Sequence, residues 1–207
     1  MESPRETDWH VVVPVKGGRG AKSRLRRSLD DQTVVAAIIH DTLDVVSHVV
    51  TPSRVVVVTM DADETAHARA AGFTVVADPG TGLNEASLSG VRWAQAGGAT
   101  AVAILLGDHP ALTPDELRSG LQAGADHQTF FVPDADGLGT ALVGTTGSDV
   151  PALAFGPGSA ALHVALGHAR LDLNLPGLRH DVDDEASLHY AATHLTLGPR
   201  TRHALGR

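Results

Sequence analysis

Four short apolar runs recur along the first half of the chain, at residues 10–15 (HVVVPV), 54–59 (RVVVVT), 73–77 (FTVVA) and 101–106 (AVAILL). Each is rich in β-branched residues, and none alternates strictly between apolar and polar. That is the pattern of strands covered on both faces, as in parallel sheets. The stretches between them follow another period. Over 31–49, Val35, Ile38, Ile39, Thr42, Val46 and Val49 recur at helical spacing. This predicts a helix despite the β-branching, with Asp30 or Asp31 as its cap. Residues 62–71 and 113–125 also read as helices. The second opens on Thr113-Pro114 as cap and first helical residue, with Asp115 and Glu116 in the first turn, where the helix dipole favours anions. Strand and helix alternate, so a parallel sheet flanked by helices is expected.

Past residue 128 the pattern changes. TFFVPD and TALVG read as two strands with no long helix between them, which suggests a hairpin or an antiparallel insertion. Helices are expected near 159–168 and 185–195, with LRHDV (178–182) as a short strand between. Residues 1–8 read as a disordered N-terminus, 9–197 as one domain, and GPRTRHALGR (198–207) as a mobile basic tail.

Composition narrows the function classes. The 207 residues include no cysteine, which excludes disulfides, thiolate metal sites and cysteine nucleophiles. Lys plus Arg is 16 and Asp plus Glu is 24, a net charge of −8. A nucleic-acid binder usually shows the opposite balance, so none is expected as a partner. The polar start MESPRETDW has no apolar signal region, and no apolar run approaches the roughly 18 residues of a membrane span. A soluble, cytoplasmic protein is the expectation, with its oligomeric state open.

Three clusters carry the candidate chemistry. The first follows the first strand, in VKGGRGAKSRL. A P-loop would need glycines where Lys16 and Ala21 stand, and a dinucleotide fingerprint would need a third glycine at Ser23. What the loop does offer is Gly17, Gly18 and Gly20, whose backbone N–H groups can converge on an anion, with Lys16, Arg19, Lys22 and Arg24 as cations. A solvated basic turn is the alternative. The second cluster is acidic. Asp108 follows the buried run 101–106, and Asp181-x-Asp183 turns two carboxylates to one side of an extended segment. Three acids suit Mg²⁺, which takes a few carboxylates plus phosphate oxygens. The alternative is that Asp183, Asp184 and Glu185 cap the helix that follows. His109 and His180 adjoin these acids and are candidates to touch substrate. His163/His168 and His189/His194, five apart, are expected on different helix faces rather than as metal pairs. No nucleophile elbow is present. The third cluster joins Thr140, after Gly137 and Gly139, to the FGPGS turn (155–159). It suits a small carboxylate or phosphate at a helix start.

Taken together and in this order, VPVKGGRGAKSRL, GLNEAS, LLGDHPAL, DGLGTALV, FGPGSAALH and LRHDVDDEASL resemble the 2-phospho-L-lactate/phosphoenolpyruvate guanylyltransferases of coenzyme F420 biosynthesis, over about residues 10–195. The resemblance implies a single-domain, Rossmann-like, GT-A-type nucleotidyltransferase fold with a mostly parallel sheet. It implies transfer of GMP from GTP to phosphoenolpyruvate or 2-phospho-L-lactate, with Mg²⁺ as cofactor and a downstream transferase as the taker of the product. By the same resemblance, Thr140, Gly156 and Ser159 contact phosphoenolpyruvate, and Asp108, Asp181 and Asp183 bind metal. Lys16, Gly17, Gly18, Gly20, Lys22, Arg24 and Asn84 form the nucleotide site, with Lys22 and Asp108 as the catalytic pair. Two departures stand out. Asp184-Glu185 replaces a frequent Thr-Pro, and Gly158 replaces Asp in the F-G-P-D-S form. Two alternatives are a molybdenum-cofactor-type nucleotidyltransferase, whose L-A-G-G-x-S-x-R-x-G loop is absent here, and a non-catalytic nucleotide-binding module.

Overall fold

The computed structural model of the protein describes residues 7–15 and 32–206. In chain order the described elements are β1 (Trp9–Pro14), α1 (Gln32–Ser47), β2 (Val55–Thr59), α2 (Ala62–Ala70), β3 (Thr74–Ala77), α3 (Leu83–Ala96), β4 (Ala101–Leu105) and α4 (Pro114–Gly124). There follow β5 (Thr129–Pro133), β6 (Thr140–Thr146), α5 (Ser159–Ala165), β7 (Ala169–Arg170), α6 (Pro176–Arg179), α7 (Glu185–His194) and α8 (Pro199–Ala204). The seven strands form one sheet in the order β3-β2-β1-β4-β6-β5-β7. β1, β2, β3 and β4 run parallel, β6 runs antiparallel to both of its neighbours, and β7 is parallel to β5.

Helices cover both faces, which explains the unbroken apolar runs. Val11 and Val13 of β1 join a core with Ile38, Leu43 and Val46 of α1, while Val12 between them packs with Ala86, Val91 and Ala94 of α3 on the other face. β2 and β4 divide their side chains in the same way. A strand residue facing either way therefore has to be apolar. α4 starts as the sequence predicts. The Thr113 hydroxyl accepts from the Glu116 N–H, and the Glu116 carboxylate accepts from Thr113.

Two expectations are corrected. Residues 178–182 are not a strand. Pro176 opens the short helix α6, the Gly177 N–H donates to Glu116 Oε1 at 2.7 Å, and the chain beyond is extended but outside the sheet. The basic tail is not a loose end either. Residues 199–204 form α8, which docks on α1. Its first N–H groups, from Arg200 and Thr201, donate to the buried Asp41 carboxylate at 3.1 and 2.8 Å. The Asp41 side chain thus serves helix N–H groups nearly 160 residues away, a pairing that no local pattern reveals.

Candidate active site

The carboxyl edge of the parallel strands gathers the acidic and the hydroxyl candidates, as open α/β sheets generally do. Asp108 lies three residues past the end of β4. The Val182 N–H donates to the Asp108 carbonyl at 2.9 Å and ties the extended segment 180–183 beside it. Val182 is fully buried in the core, so the residues on either side of it, Asp181 and Asp183, turn away from the core together. Carboxylate oxygens of Asp108, Asp181 and Asp183 lie within 4.8 Å of one another, with Asp108 buried, Asp181 half-buried and Asp183 exposed. Three hard oxygen donors converging from two loops form a set that fits a divalent cation. Asp184 resolves the competing reading of these acids. Its carboxylate accepts from the Ser187 N–H at 2.9 Å and caps α7, so Asp183 is not needed for that purpose.

The histidines beside the acids are placed differently from the expectation that they touch substrate. His109 is buried, with its Nε2 3.3 Å from Asp108 Oδ1 and its backbone N–H donating to Thr42 Oγ1 of α1 at 3.2 Å. It backs Asp108 from inside the fold. The His180 ring turns to α7, donating to the Ser187 carbonyl at 2.9 Å and stacking on Tyr190 with centroids 4.7 Å apart. His163 and His168 are not on separate faces of one helix. α5 ends at Ala165, the chain reverses at Gly167 (φ 88°), and the two rings meet at 5.1 Å.

The third cluster assembles around the start of β6. Because β6 is antiparallel to β4, with Leu142 opposite Leu105, its first residue, Thr140, reaches the same edge as Asp108. The loop before it is folded by Asp134, whose carboxylate accepts from the N–H groups of Leu138 (3.0 Å) and Gly139 (2.8 Å). A Cβ on Gly139 would come within 2.2 Å of that carboxylate, so a larger residue there would push the Asp134 side chain off the loop it folds. Ser159, the first residue of α5, donates its hydroxyl to Thr140 Oγ1 at 2.9 Å. His163 Nδ1 lies 3.0 Å from the same oxygen. Ser159 is not the helix cap; that position is Gly158, in the left-handed region (φ 72°), which an aspartate adopts less readily. Gly156 (φ 139°) occupies a conformation strained for any other residue. Burial, with His168 close by, pushes His163 down to about 4, against a smaller upward pull from a Ser159 backbone hydrogen bond. Its side chain is therefore neutral near pH 7.

Asn84 neither caps α3, whose cap is Gly82, nor stands open. Its amide bonds Phe155 on both sides, donating to the carbonyl at 3.3 Å and accepting the N–H at 2.8 Å. It fastens the FGPG turn to the start of α3. Lys16, Gly17, Gly18, Gly20, Lys22 and Arg24 lie outside the described residues, as do Asp30 and Asp31. Val15, just before them, donates its N–H to Val58 at 2.8 Å at the carboxyl end of β1. Among the described residues, no helix is long and apolar enough to cross a membrane.

Residues 16–184 match the MobA-like NTP transferase domain. The phosphoenolpyruvate guanylyltransferase of Geodermatophilus obscurus is 41% identical over 96% of this chain and 94% of its own. That of Sanguibacter keddieii is 40% identical over 96% and 84%. The chain belongs to the phosphoenolpyruvate guanylyltransferase family. Membership makes it a nucleotidyltransferase, and the relatives favour neither the molybdenum-cofactor type nor the non-catalytic module. A solved nucleotidyl transferase from Methanothermobacter thermautotroptrophicus shares the fold, with a TM-score of 0.62 and 22% identity over 89% of this chain and 97% of that one. NTP transferases of this kind generally use a divalent metal, and the Asp108, Asp181 and Asp183 group is where the family member described here can hold one.

Proposed function

We propose that the protein transfers GMP from GTP to phosphoenolpyruvate, giving enolpyruvoyl-2-diphospho-5'-guanosine and pyrophosphate, a cytoplasmic step of coenzyme F420 biosynthesis. The observation that carries this reading is the pairing, on one sheet edge, of a carboxylate trio with a neutral hydroxyl cluster. The trio suits the phosphates of a nucleotide. The cluster suits a small anion that needs hydrogen bonds rather than a strong base. Phosphoenolpyruvate is already an anion at pH 7. One of its phosphate oxygens attacks the α-phosphorus of GTP, a new P–O bond forms, and the α–β bridging bond breaks with its electrons leaving on pyrophosphate. Repulsion between the two anions is the barrier.

Each group of residues then has one task. Asp108, Asp181 and Asp183 would hold Mg²⁺, which when bound supplies charge neutralisation on the phosphate oxygens. Thr140 and the Gly156 turn orient the acceptor, and Ser159 acts there through the Thr140 hydroxyl to which it donates. Lys22 and Arg24, with Lys16 and the amides of Gly17, Gly18 and Gly20, receive the triphosphate and the departing pyrophosphate. Asn84 serves indirectly, by holding Phe155 and therefore the acceptor turn. The product is a reactive mixed diphosphate, so a downstream transferase that consumes it promptly is the partner this reading requires.

The test is pyrophosphate release with GTP and Mg²⁺, run in parallel on phosphoenolpyruvate, 2-phospho-L-lactate and 3-phosphoglycerate. Fastest turnover on phosphoenolpyruvate is the expected outcome. Preference for either other acid would reassign the acceptor, and release with none of the three would refute guanylyl transfer to small phospho-acids.

A further inference from the structure

The imidazole of His163 is fully buried beneath the hydroxyl cluster, and each of its nitrogens has a defined neighbour. The Ala154 N–H donates to Nε2 at 3.1 Å. A backbone N–H cannot accept, so Nε2 has to carry the lone pair. In a neutral ring the proton is then on Nδ1, and Nδ1–H donates to Thr140 Oγ1 at 3.0 Å. The Ser159 hydroxyl also donates to Thr140 Oγ1, at 2.9 Å. A threonine oxygen has two lone pairs, and both are now filled. The one proton left to Thr140 is its own, and it can only be donated elsewhere.

We propose that His163 is a positioning residue that fixes the hydroxyl of Thr140 as an outward donor to the anionic acceptor, through an Nδ1–H tautomer set by the Ala154 amide. This rests on the reading of Thr140 as an acceptor contact. The device has a chemical purpose. A free hydroxyl presents either its proton or a lone pair, and a carboxylate or phosphate oxygen wants only the proton. Filling both lone pairs from below removes the wrong orientation before the acceptor arrives, so the donor is preorganised. The ring is held in place by neighbours on two further sides. Phe131 lies at 5.5 Å with an interplanar angle of 38°, and Phe155 lies at 5.5 Å and 79°. Phe155 is the residue that Asn84 clamps from α3. The neighbouring His168 donates from Nε2 to the Ala152 carbonyl at 2.9 Å, which keeps the 152–154 backbone, and with it the Ala154 N–H, in register with His163.

Two measurements test this separately from the identity of the acceptor. In ligand-free protein labelled with ¹⁵N-histidine, at pH 7, the His163 signals, assigned by their loss in His163→Asn, should show a protonated Nδ1 and an unprotonated Nε2. A protonated Nε2, or both nitrogens protonated, overturns the proposal whatever the acceptor proves to be. The second measurement compares His163→Asn, whose amide N–H can replace Nδ1–H, with His163→Phe, which fills the volume without donating. His163→Phe should raise KM for phosphoenolpyruvate about tenfold, the scale of one hydrogen bond, with kcat and KM for GTP within about twofold. His163→Asn should recover most of that loss. Equal KM values for the two variants, or an equal rise in KM for GTP, would sink the orienting role. Should His163→Phe not fold, the tautomer and the Asn variant still decide it.

Discussion

Asp41→Ala removes the side chain on which the C-terminal helix is hung. Asp41 is 3% exposed, its carboxylate accepts the N–H groups of Arg200 and Thr201, and Thr201 is fully buried. Hydrogen bonds to a charged acceptor contribute about 1.5–3 kcal/mol each, and loss of a helix cap alone costs about 0.5–2 kcal/mol. Some of the two-bond total is regained when α8 frays and its N–H groups reach water. The net loss should therefore be about 2–4 kcal/mol, which for a chain of this size lowers Tm by roughly 5–15 °C. Asp41→Asn keeps one acceptor oxygen and should lose less than Asp41→Ala. Thermal and urea unfolding give the global figure, and amide exchange at Arg200 and Thr201 gives the local one. Tm within about 1 °C of wild type together with unchanged exchange at both amides would refute the capping role. A deeper coupling follows from the Gly198 N–H, which donates at 2.7 Å to the carbonyl of Pro110, two residues beyond Asp108. Undocking α8 should therefore also reduce kcat, a loss that a purely terminal helix would not cause.

Three further outcomes follow. Asp108→Ala should lower kcat by at least about 10²-fold, the scale of a lost electrostatic clamp, while circular dichroism remains native; near-normal turnover would remove Asp108 from the metal set. Ser159→Ala should raise KM for the acceptor by about tenfold or less and leave KM for GTP alone, because only ground-state binding is lost; a rise in the nucleotide KM instead would misplace the acceptor site. His163 makes stability depend on pH. Its folded value of about 4 lies below the ordinary 6.5, so between those values the unfolded chain binds the extra proton. The His163 contribution is complete above about 6.5, falls with pH across that window, and levels off below about 4. The gap corresponds to about 3 kcal/mol at most. A urea titration series from pH 7 to 4 should show this slope in wild type and a shallower one in His163→Phe; parallel slopes would count against a buried neutral ring.

The sheet was legible because its strands are buried on both faces. Runs such as VVVV at 55–58 and AVAIL at 101–105 can hardly be anything else once helical periods stand on either side of them. The acids were legible for a related reason. Asp-Val-Asp at 181–183 places one apolar residue where the core requires it, and so commits both neighbours to the same side. What stayed hidden was long-range and polar. The reach of Asp41 to residues 200 and 201 leaves no periodicity, and basic residues at a chain end look solvated whether or not their backbone is docked. The His163 tautomer depends on an amide nine residues upstream that is brought back by a turn at Gly156. The clasp of Asn84 on Phe155, 71 residues further along the chain, leaves no local signal either. The helical pattern near 178 was masked by a leucine and a valine that the core claims one at a time rather than as a strand.

The reversal of β6 divides the labour of the sheet. Everything proposed to hold the acceptor, from the Asp134 loop through Thr140 to Ser159 and His163, falls within one continuous stretch of chain from β5 to α5. The acids and the basic loop come from outside it, on either side in sequence. This makes the stretch a transplantable cassette. Exchanging it between relatives should carry acceptor preference from one to another while the triphosphate-handling parts stay as they are, provided the recipient keeps an asparagine at position 84 to clasp the incoming turn.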